Sequence, residues 1–388
     1  MGDKDQDQEK YFARTGEYAL SKRKIEAAQA RFNDGEDGSL LETAPIPTNP
    51  DYYKPPSRFQ AEMKKARPVF EEYRDAARQM INDVRVGRPL GVRDVLLPMK
   101  GMIESVIRHP DPMVWMTQLL VPESFLSGHL IRTSVLSVVI GRGMGLPERQ
   151  LERLALGSLL CQIGKAKLPR RLLEKPGPLA RDELEKIRGF VGMGVELVEA
   201  VRGMEREVVD IVRFHHERFD GSGYPGGVKA DEIPLLARVV GVADWYDTMT
   251  SQKPYTDQVI SSTEAVDLLN HRRNLLFQSQ IVDEFIRTIG LYPNGNLVEL
   301  DTGEIGLVQC QNPENRTQPR ILLVLDTDQM LITPPRQVDL LSYNQGSKGH
   351  PMTIRRALPD GEYGLDPASI MQTAGAVKKG WRRLIPGG

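Results

Sequence analysis

His215 and His216 are consecutive, and in a plain α-helix neighbouring side chains diverge by roughly 100°, so adjacent imidazoles cannot share one face. The pair makes sense where both rings turn inward toward metal ions, and this restricts what the surrounding chain can fold into. The stretch that follows, Glu217-Arg218-Phe219-Asp220-Gly221-Ser222-Gly223-Tyr224-Pro225, adds two carboxylates and a Gly-x-Gly-Tyr-Pro loop. Such a loop lets the backbone come close to an anionic ligand. Further along, Val242-Ala243-Asp244-Trp245-Tyr246-Asp247 is an apolar run ending in two acids three residues apart. A carboxylate beside a buried run is rarely without a partner, which marks Asp244 as a ligand or a ligand remnant.

Periodicity organises the rest. Residues 1–54 are polar, with a Pro/Thr-rich end (Ala44–Pro50), and are expected to be disordered apart from a short helix through Lys22–Phe32. A helical lead-in is expected over 55–115, where Phe59, Met63, Val69, Phe70, Tyr73, Ala77, Met80, Ile81 and Val84 recur at three- and four-residue spacing. Over 116–292 the predicted helices are Ser127–Met144, Pro147–Ile163, Ala180–Phe190, Gly194–Val201, Glu205–His216, Pro234–Thr250, Ser262–Asn270 and Gln278–Ile289, punctuated by Pro and Gly. After Tyr292-Pro293 the period shortens. Leu297–Leu300 and Ile305–Val308 read as a hairpin, with further strands at Ile321–Leu325 and Val338–Leu341, giving a small antiparallel sheet over 293–345. Residues 346–388 read as a loop-like tail. Its end, Val377–Ile385, is basic and aromatic and reads as a solvated terminus, since stable membrane anchoring takes a second signal. The fold class is mainly α with a small β appendage.

Composition excludes several functions. A net charge of −1 leaves no electrostatic footprint for nucleic acid. Two cysteines, Cys161 and Cys310, build no disulfide framework and point to a reducing compartment. No apolar run approaches the ~18 residues of a membrane span, and the polar N-terminus carries no signal-peptide pattern. A cytoplasmic protein without an integral membrane segment is expected.

The His-His-Glu stretch with its Gly-Tyr-Pro loop resembles the HD-GYP family, bacterial phosphohydrolases that linearise cyclic di-GMP. The resemblance is strongest over 116–292 and extends to about 70–350. The lead-in, with Asp83–Gly87 and Arg108-His109-Pro110, looks like that of one HD-GYP subgroup, and the family often carries a similar β appendage. The resemblance implies an HD-domain helical bundle, divalent metal ions and cyclic di-GMP as ligand. His129, His215, His216 and Asp244 match metal-binding positions. Lys165 and Arg218 would meet phosphates, with Asp220, Gly221, Gly223, Tyr224 and Pro225 forming the loop beside them.

The chain departs from the family where chemistry is concentrated. Members read His-Asp-Ile-Gly-Lys at the metal-binding doublet; this chain reads Cys161-Gln162-Ile163-Gly164-Lys165. Phe190 stands at the middle histidine, four residues before Gly194. The resemblance implies that the doublet's carboxylate bridges two ions whose shared hydroxide attacks phosphorus. Glutamine cannot bridge as a carboxylate does, phenylalanine cannot ligate, and cysteine prefers softer metals than an oxygen-bridged pair. The surviving set, His129, His215, His216 and Asp244, is expected to hold either no metal or a single Fe, Mn or Zn ion. Free cysteine is most often a small buried hydrophobe, so Cys161 is expected inert, with Phe190 beside it and Gln162 bonded to His129 or Asp244. The leading reading is a degenerate member without catalysis, serving cyclic di-GMP signalling as a nucleotide sensor or as a scaffold for protein partners. The alternatives are an active phosphodiesterase with an altered metal set, and a pure interaction module.

Overall fold

The computed structural model describes residues 58–120, 124–177, 179–252, 259–346, 351–359 and 361–375, together with Ile46, Asn49, Tyr52 and Tyr53. The helix expected at Lys22–Phe32 and the basic end Val377–Ile385 lie outside the described residues.

Helix α1 (Phe59–Arg85) buries one apolar stripe, from Phe59 and Met63 through Tyr73 to Val84. Helix α2 (Arg93–Arg108) follows and stops at His109, held extended ahead of Pro110, which opens α3 (Pro110–Gln118). The lead-in is not a separate layer. Its side chains belong to the same core cluster as the helices that follow, and Tyr73 donates to Ser134 at 2.7 Å.

Helix α4 (Phe125–Gly143) is buried on nearly every side, from Leu126 through His129 to Ile140, as expected of a helix apolar all round. Ser124 caps it, its hydroxyl accepting from Ser127 N. Around it pack α5 (Glu148–Leu160), the short α6 (Arg170–Leu173), α7 (Arg181–Arg188), α8 (Phe190–Glu199), α9 (Arg206–Phe214), α10 (Leu235–Thr250), α11 (Ser262–His271) and α12 (Ser279–Ile289). A tight 3-10 turn, Ile163–Lys167, separates α5 from α6. Helix α10, like α4, is buried along almost its whole length.

The C-terminal strands β1 (Leu297–Leu300), β2 (Ile305–Cys310), β3 (Arg320–Leu325), β4 (Leu331–Asp339) and β5 (Ile354–Leu358) form one antiparallel sheet in the order β4-β3-β2-β1-β5. One face (Leu297, Leu307, Cys310, Leu322, Val324) joins the helical core. The other (Val298, Leu300, Val308, Ile321, Leu323) packs with Leu340, on α13 (Leu340–Gly346), and with Met352. Helix α14 (Pro367–Gly375) adds Ile370 and Met371 to the helical core.

Three expectations need correcting. The fourth strand starts at Leu331 and leaves the sheet after Asp339, so Leu340 and Leu341 are helical. The segment expected to be a loop-like tail from 346 contains β5 and α14: Arg355 and Arg356 both pair with Glu299 on β1, so neighbouring charges hold the edge strand where its own pattern is weak. Finally, described residues of the polar N-terminal segment dock on the body. Ile46 is buried and donates its amide to Gln280, while Asn49 N donates to Met144 O at 2.9 Å. Among the described residues no helix is long and apolar enough to cross a membrane.

Candidate metal and nucleotide site

Four elements bring the chemistry-bearing residues together. Helix α4 supplies His129 and Arg132; the end of α5 supplies Cys161 and Gln162; the end of α9 supplies His215 and His216; α10 supplies Asp244 and Asp247. One helical turn separates the two aspartates, so both carboxylates reach the same ring. His129 Nε2 lies 2.9 Å from Asp244 Oδ1, and its Nδ1 lies 2.7 Å from Asp247 Oδ2. Arg132 closes the far side, donating Nε to Asp247 Oδ1 at 2.6 Å. Phe125 stacks on His129 at 5.5 Å.

Gln162 donates its side-chain amide to Asp244 Oδ1, and Lys165 donates to the Gln162 carbonyl oxygen. Cys161 is fully buried, its sulfur 4.0 Å from Asp244 Oδ1. Phe190, 1% exposed, lies 5.9 Å from the His215 ring and 5.5 Å from the His216 ring, with the Lys165 ammonium over it at 4.7 Å. Phe190 thus occupies space between the histidines and the lysine. Its placement is rigid: a Cβ on Gly164 would fall 2.0 Å from Phe190 O and 2.6 Å from Gly194 N, so here backbone packs against backbone.

The four residues expected to share an ion do not play equal parts. Both His129 nitrogens are taken by carboxylates, so His129 is an internal ion-pair partner. The donors that do converge are Cys161, His215 and Asp244, with one ligand atom of each within 4.8 Å of the others. His215 Nδ1 is 2.9 Å from Val212 O, leaving Nε2 directed inward. His215 Nε2, both nitrogens of His216 and Asp244 Oδ2 are buried without a hydrogen-bond partner. Buried polar atoms are rarely orphaned, and a cation is what this set fits. The residues fit one ion. A second would need a bridging carboxylate at 162, where an amide donates instead.

A protein-family model described as an HD domain matches residues 115–281. Over those residues the helical body has the HD-domain fold. Over 307 residues, 79% of this chain, it is 29% identical to a cyclic di-GMP phosphodiesterase of Pseudomonas aeruginosa, PA4108, and covers 74% of that protein. It is 33% identical over 162 residues to the cyclic di-GMP phosphodiesterase response regulator RpfG of Xanthomonas campestris pv. campestris, matching 42% of this chain and 43% of that one. The chain therefore spans under half of the second relative's length. Among solved structures, Bd1817, a HDG"Y"P protein from Bdellovibrio bacteriovorus, is similar with a TM-score of 0.48 and 15% identity, over 68% of this chain and 79% of that one.

The HD domain's Gly-Tyr-Pro loop folds onto its own histidines. Tyr224 stacks on His216 at 4.7 Å, and its amide donates to His216 O. A Cβ on Gly223 would lie 2.3 Å from Arg218 N and 2.5 Å from His216 O, so that glycine is required by main chain crossing main chain. Gly221, at φ +80°, is strained for any other residue. Asp220 accepts from Ser222 within the loop, and Glu217 accepts from the amides of Gly226 and Gly227. Pro225 is exposed beside them. Arg218 corrects the expectation of a phosphate contact: it is 5% exposed, donates to the carbonyls of His215 and Glu217, and lies over the Phe277 ring at 5.2 Å. Of the expected ligand-side residues, Lys165 lines a cavity of about 340 Å³, together with Arg85, Gln162, Lys167, Arg170 and His216.

Electrostatics in the HD domain follow burial and pairing. Burial opposes charge on His129, but its hydrogen bonds to Asp244 and Asp247 outweigh it and raise its pKa. Burial would likewise raise Asp247, but Arg132 and His129 hold it low, and His129 leads the groups that hold Asp244 low. Two carboxylates thus face one imidazole and one guanidinium. Burial lowers His215 to about 4 and His216 well below its usual value, so both are neutral at pH 7, the form that binds metal. Burial, then the Asp244 charge, pushes the Cys161 thiol well up, which makes it unreactive without a metal. Sequence reasoning missed Asp247 and Arg132 as partners of His129; the one available signal was the acid one turn after Asp244.

Proposed function

We propose that this chain is a catalytically degenerate HD-GYP protein that binds cyclic di-GMP without hydrolysing it and acts in cyclic di-GMP signalling. The observation that carries this reading is the Gln162–Asp244 hydrogen bond. Where two-ion hydrolysis needs a carboxylate bridging both metals, an amide donates to the remaining carboxylate, and Phe190 occupies a further ligand position. The basic cavity supports binding: Arg85, Lys165, Lys167 and Arg170 converge on a space at the lower end of the range for small-molecule sites. With Arg170 paired to Glu174, three cations remain to meet a dianionic ligand. The relatives named as cyclic di-GMP phosphodiesterases supply the ligand class.

A second reading, an active phosphodiesterase with an altered metal set, draws on the Cys161–His215–Asp244 group and the orphaned His216 nitrogens. That group holds one ion at most, by the donors present, and a bound ion there would supply Lewis acidity without the second metal. Calorimetric titration with cyclic di-GMP, run beside chromatography for linear pGpG and GMP in Mn(II) or Fe(II), separates the readings. Binding without product is expected. Turnover at an ordinary rate overturns the degenerate reading in favour of the enzyme; absence of binding overturns it in favour of a pure interaction module.

A further inference from the structure

We propose that His109, Asp111 and Cys310 form a zinc site, separate from the HD-domain centre, that ties the α2–α3 junction to strand β2. His109 is the hinge between the two helices, Asp111 lies in the first turn of α3, and Cys310 ends β2. The cysteine meets the others from 199 and 201 residues away. One donor atom from each lies within 4.8 Å of the others. Cys310 Sγ is 2.9 Å from Asp111 Oδ2 and 3.9 Å from His109 Nε2, while His109 Nδ1 is 3.6 Å from Asp111 Oδ2. Tetrahedral bonds of ~2.0–2.3 Å require donor separations of roughly 3.3–3.8 Å, so the three donors, now within 4.8 Å of one another, would draw together on binding. One thiolate, one imidazole and one carboxylate suit zinc, with the fourth position left to water.

Two further observations point to a ligand. His109 is 3% exposed, yet its Nδ1 is buried without a hydrogen-bond partner. An orphaned ring nitrogen facing a carboxylate is what a metal ligand looks like in the absence of its ion. Asp111 is also oriented from behind: Asn294 donates to its Oδ1 at 2.8 Å, and Gln311 in turn donates to Asn294. That leaves Oδ2 for the shared position, the arrangement by which an outer shell aims a ligating carboxylate. Burial keeps His109 neutral, and the thiol proton now donated to Asp111 leaves to solvent when zinc binds. The site would clamp the helical body to the sheet, in addition to their shared apolar packing.

The test uses the full chain, stripped with chelator, in a Cys161→Ser background, where Cys310 is the remaining thiol of the two. Cobalt(II) should give a sulfur-to-cobalt charge-transfer band at one equivalent, and zinc should displace the cobalt and raise Tm. Adding Cys310→Ser should abolish the band and remove the part of the zinc-dependent shift that accompanies it. His109→Gln, which leaves the thiol–Asp111 hydrogen bond in place, should weaken zinc binding at least tenfold and serves if the cysteine variant does not fold. Asn294→Ala should weaken it about tenfold while keeping the band. A hydrogen-bonded cluster with no affinity for metal gives no band and no zinc-dependent Tm, and either absence overturns the proposal. Zinc binding that is unchanged by His109→Gln overturns it as well.

Discussion

Gln162 donates to Asp244 at Oδ1, the same oxygen that lies 2.9 Å from His129 Nε2. Two donors therefore converge on one oxygen of a fully buried carboxylate, while Oδ2 remains unpaired. That oxygen is held by side chains of the protein itself. Replacing Gln162 by Leu removes the neutral donor and the Lys165 acceptor together. Hydrogen bonds to charged groups contribute about 1.5–3 kcal/mol, and a loss in that range is expected. Urea unfolding checks it, as a lower midpoint with unchanged m.

Restoring the doublet alone should fail. Cys161→His with Gln162→Asp places a second carboxylate beside Asp244 in a site that is dry. Leaving a buried charge unpaired typically costs ~3–5 kcal/mol, so the metal-free double variant should be markedly less stable than the parent. Phe190 still withholds one ligand, so cyclic di-GMP hydrolysis should stay at background until Phe190→His is added. A double variant that is both stable and turns over cyclic di-GMP efficiently overturns the degenerate reading.

The acid limb of stability is set by the buried histidine pair. His215 has a folded pKa of about 4 against ~6.5 in the unfolded chain, and His216 is shifted the same way. A depressed histidine favours folding fully above ~6.5 and loses that contribution as pH falls toward 4, because the unfolded chain then binds more protons. For His215 alone this is on the order of 3 kcal/mol. His129 works in reverse: its raised pKa contributes fully below ~6.5 and is lost as pH rises through the folded value. Unfolding free energies of metal-free protein from pH 4 to 8 check both limbs. His215→Gln should make the acid limb shallower.

On the proposed reading, the HD-domain centre holds at most one ion. In Cys310→Ser protein, which lacks the proposed zinc site, elemental analysis after loading with Mn(II), Fe(II) or Zn(II) should find no more than one equivalent per chain. His215→Ala should remove it, since His215 Nε2 is an inward-facing orphan. His129→Ala should act mainly on stability, because both of its nitrogens are already engaged.

Two glycines near the centre should respond oppositely to alanine. At Gly223 the new methyl group meets Arg218 N, Glu217 Cα and His216 O at 2.3–2.5 Å, all main-chain atoms. Gly223→Ala should destabilise by at least the ~1–3 kcal/mol typical of overpacking. Gly192, exposed within α8, has nothing within 4 Å of the same position. Gly192→Ala should stabilise by roughly 0.5–1 kcal/mol through helix propensity. Thermal melts of both variants provide the check.

The long helices were legible in the sequence because each buries a face or is apolar throughout, and both patterns are local. Strand β5 was not: Ile354-Arg355-Arg356-Ala357-Leu358 acquires its conformation from pairing with β1 and from Glu299. That Cys161, Gln162 and Phe190 would gather at the centre was also legible, because register needs only flanking residues. What fills the gap was only partly legible. Gln162 was expected to bond to His129 or Asp244, and it bonds to Asp244. By contrast, the capture of His129 between two acids, with Arg132 behind them, depends on how α4 crosses α10. Arg218 illustrates the same limit: its motif suggests a phosphate contact, while burial beside Phe277 is a tertiary fact. The His109–Asp111–Cys310 group has no sequence signature, since its members meet only when β2 docks on the α2–α3 corner.

Where Gly164 meets Phe190, main chain rests on main chain, and nothing in that contact can retract. Positions 161, 162 and 190 are therefore presented to one another at separations that side-chain changes will hardly alter. For protein engineering this makes the domain a blank die. Its mould is set by main chain, and what is cast in it is decided by the side chains chosen at three positions.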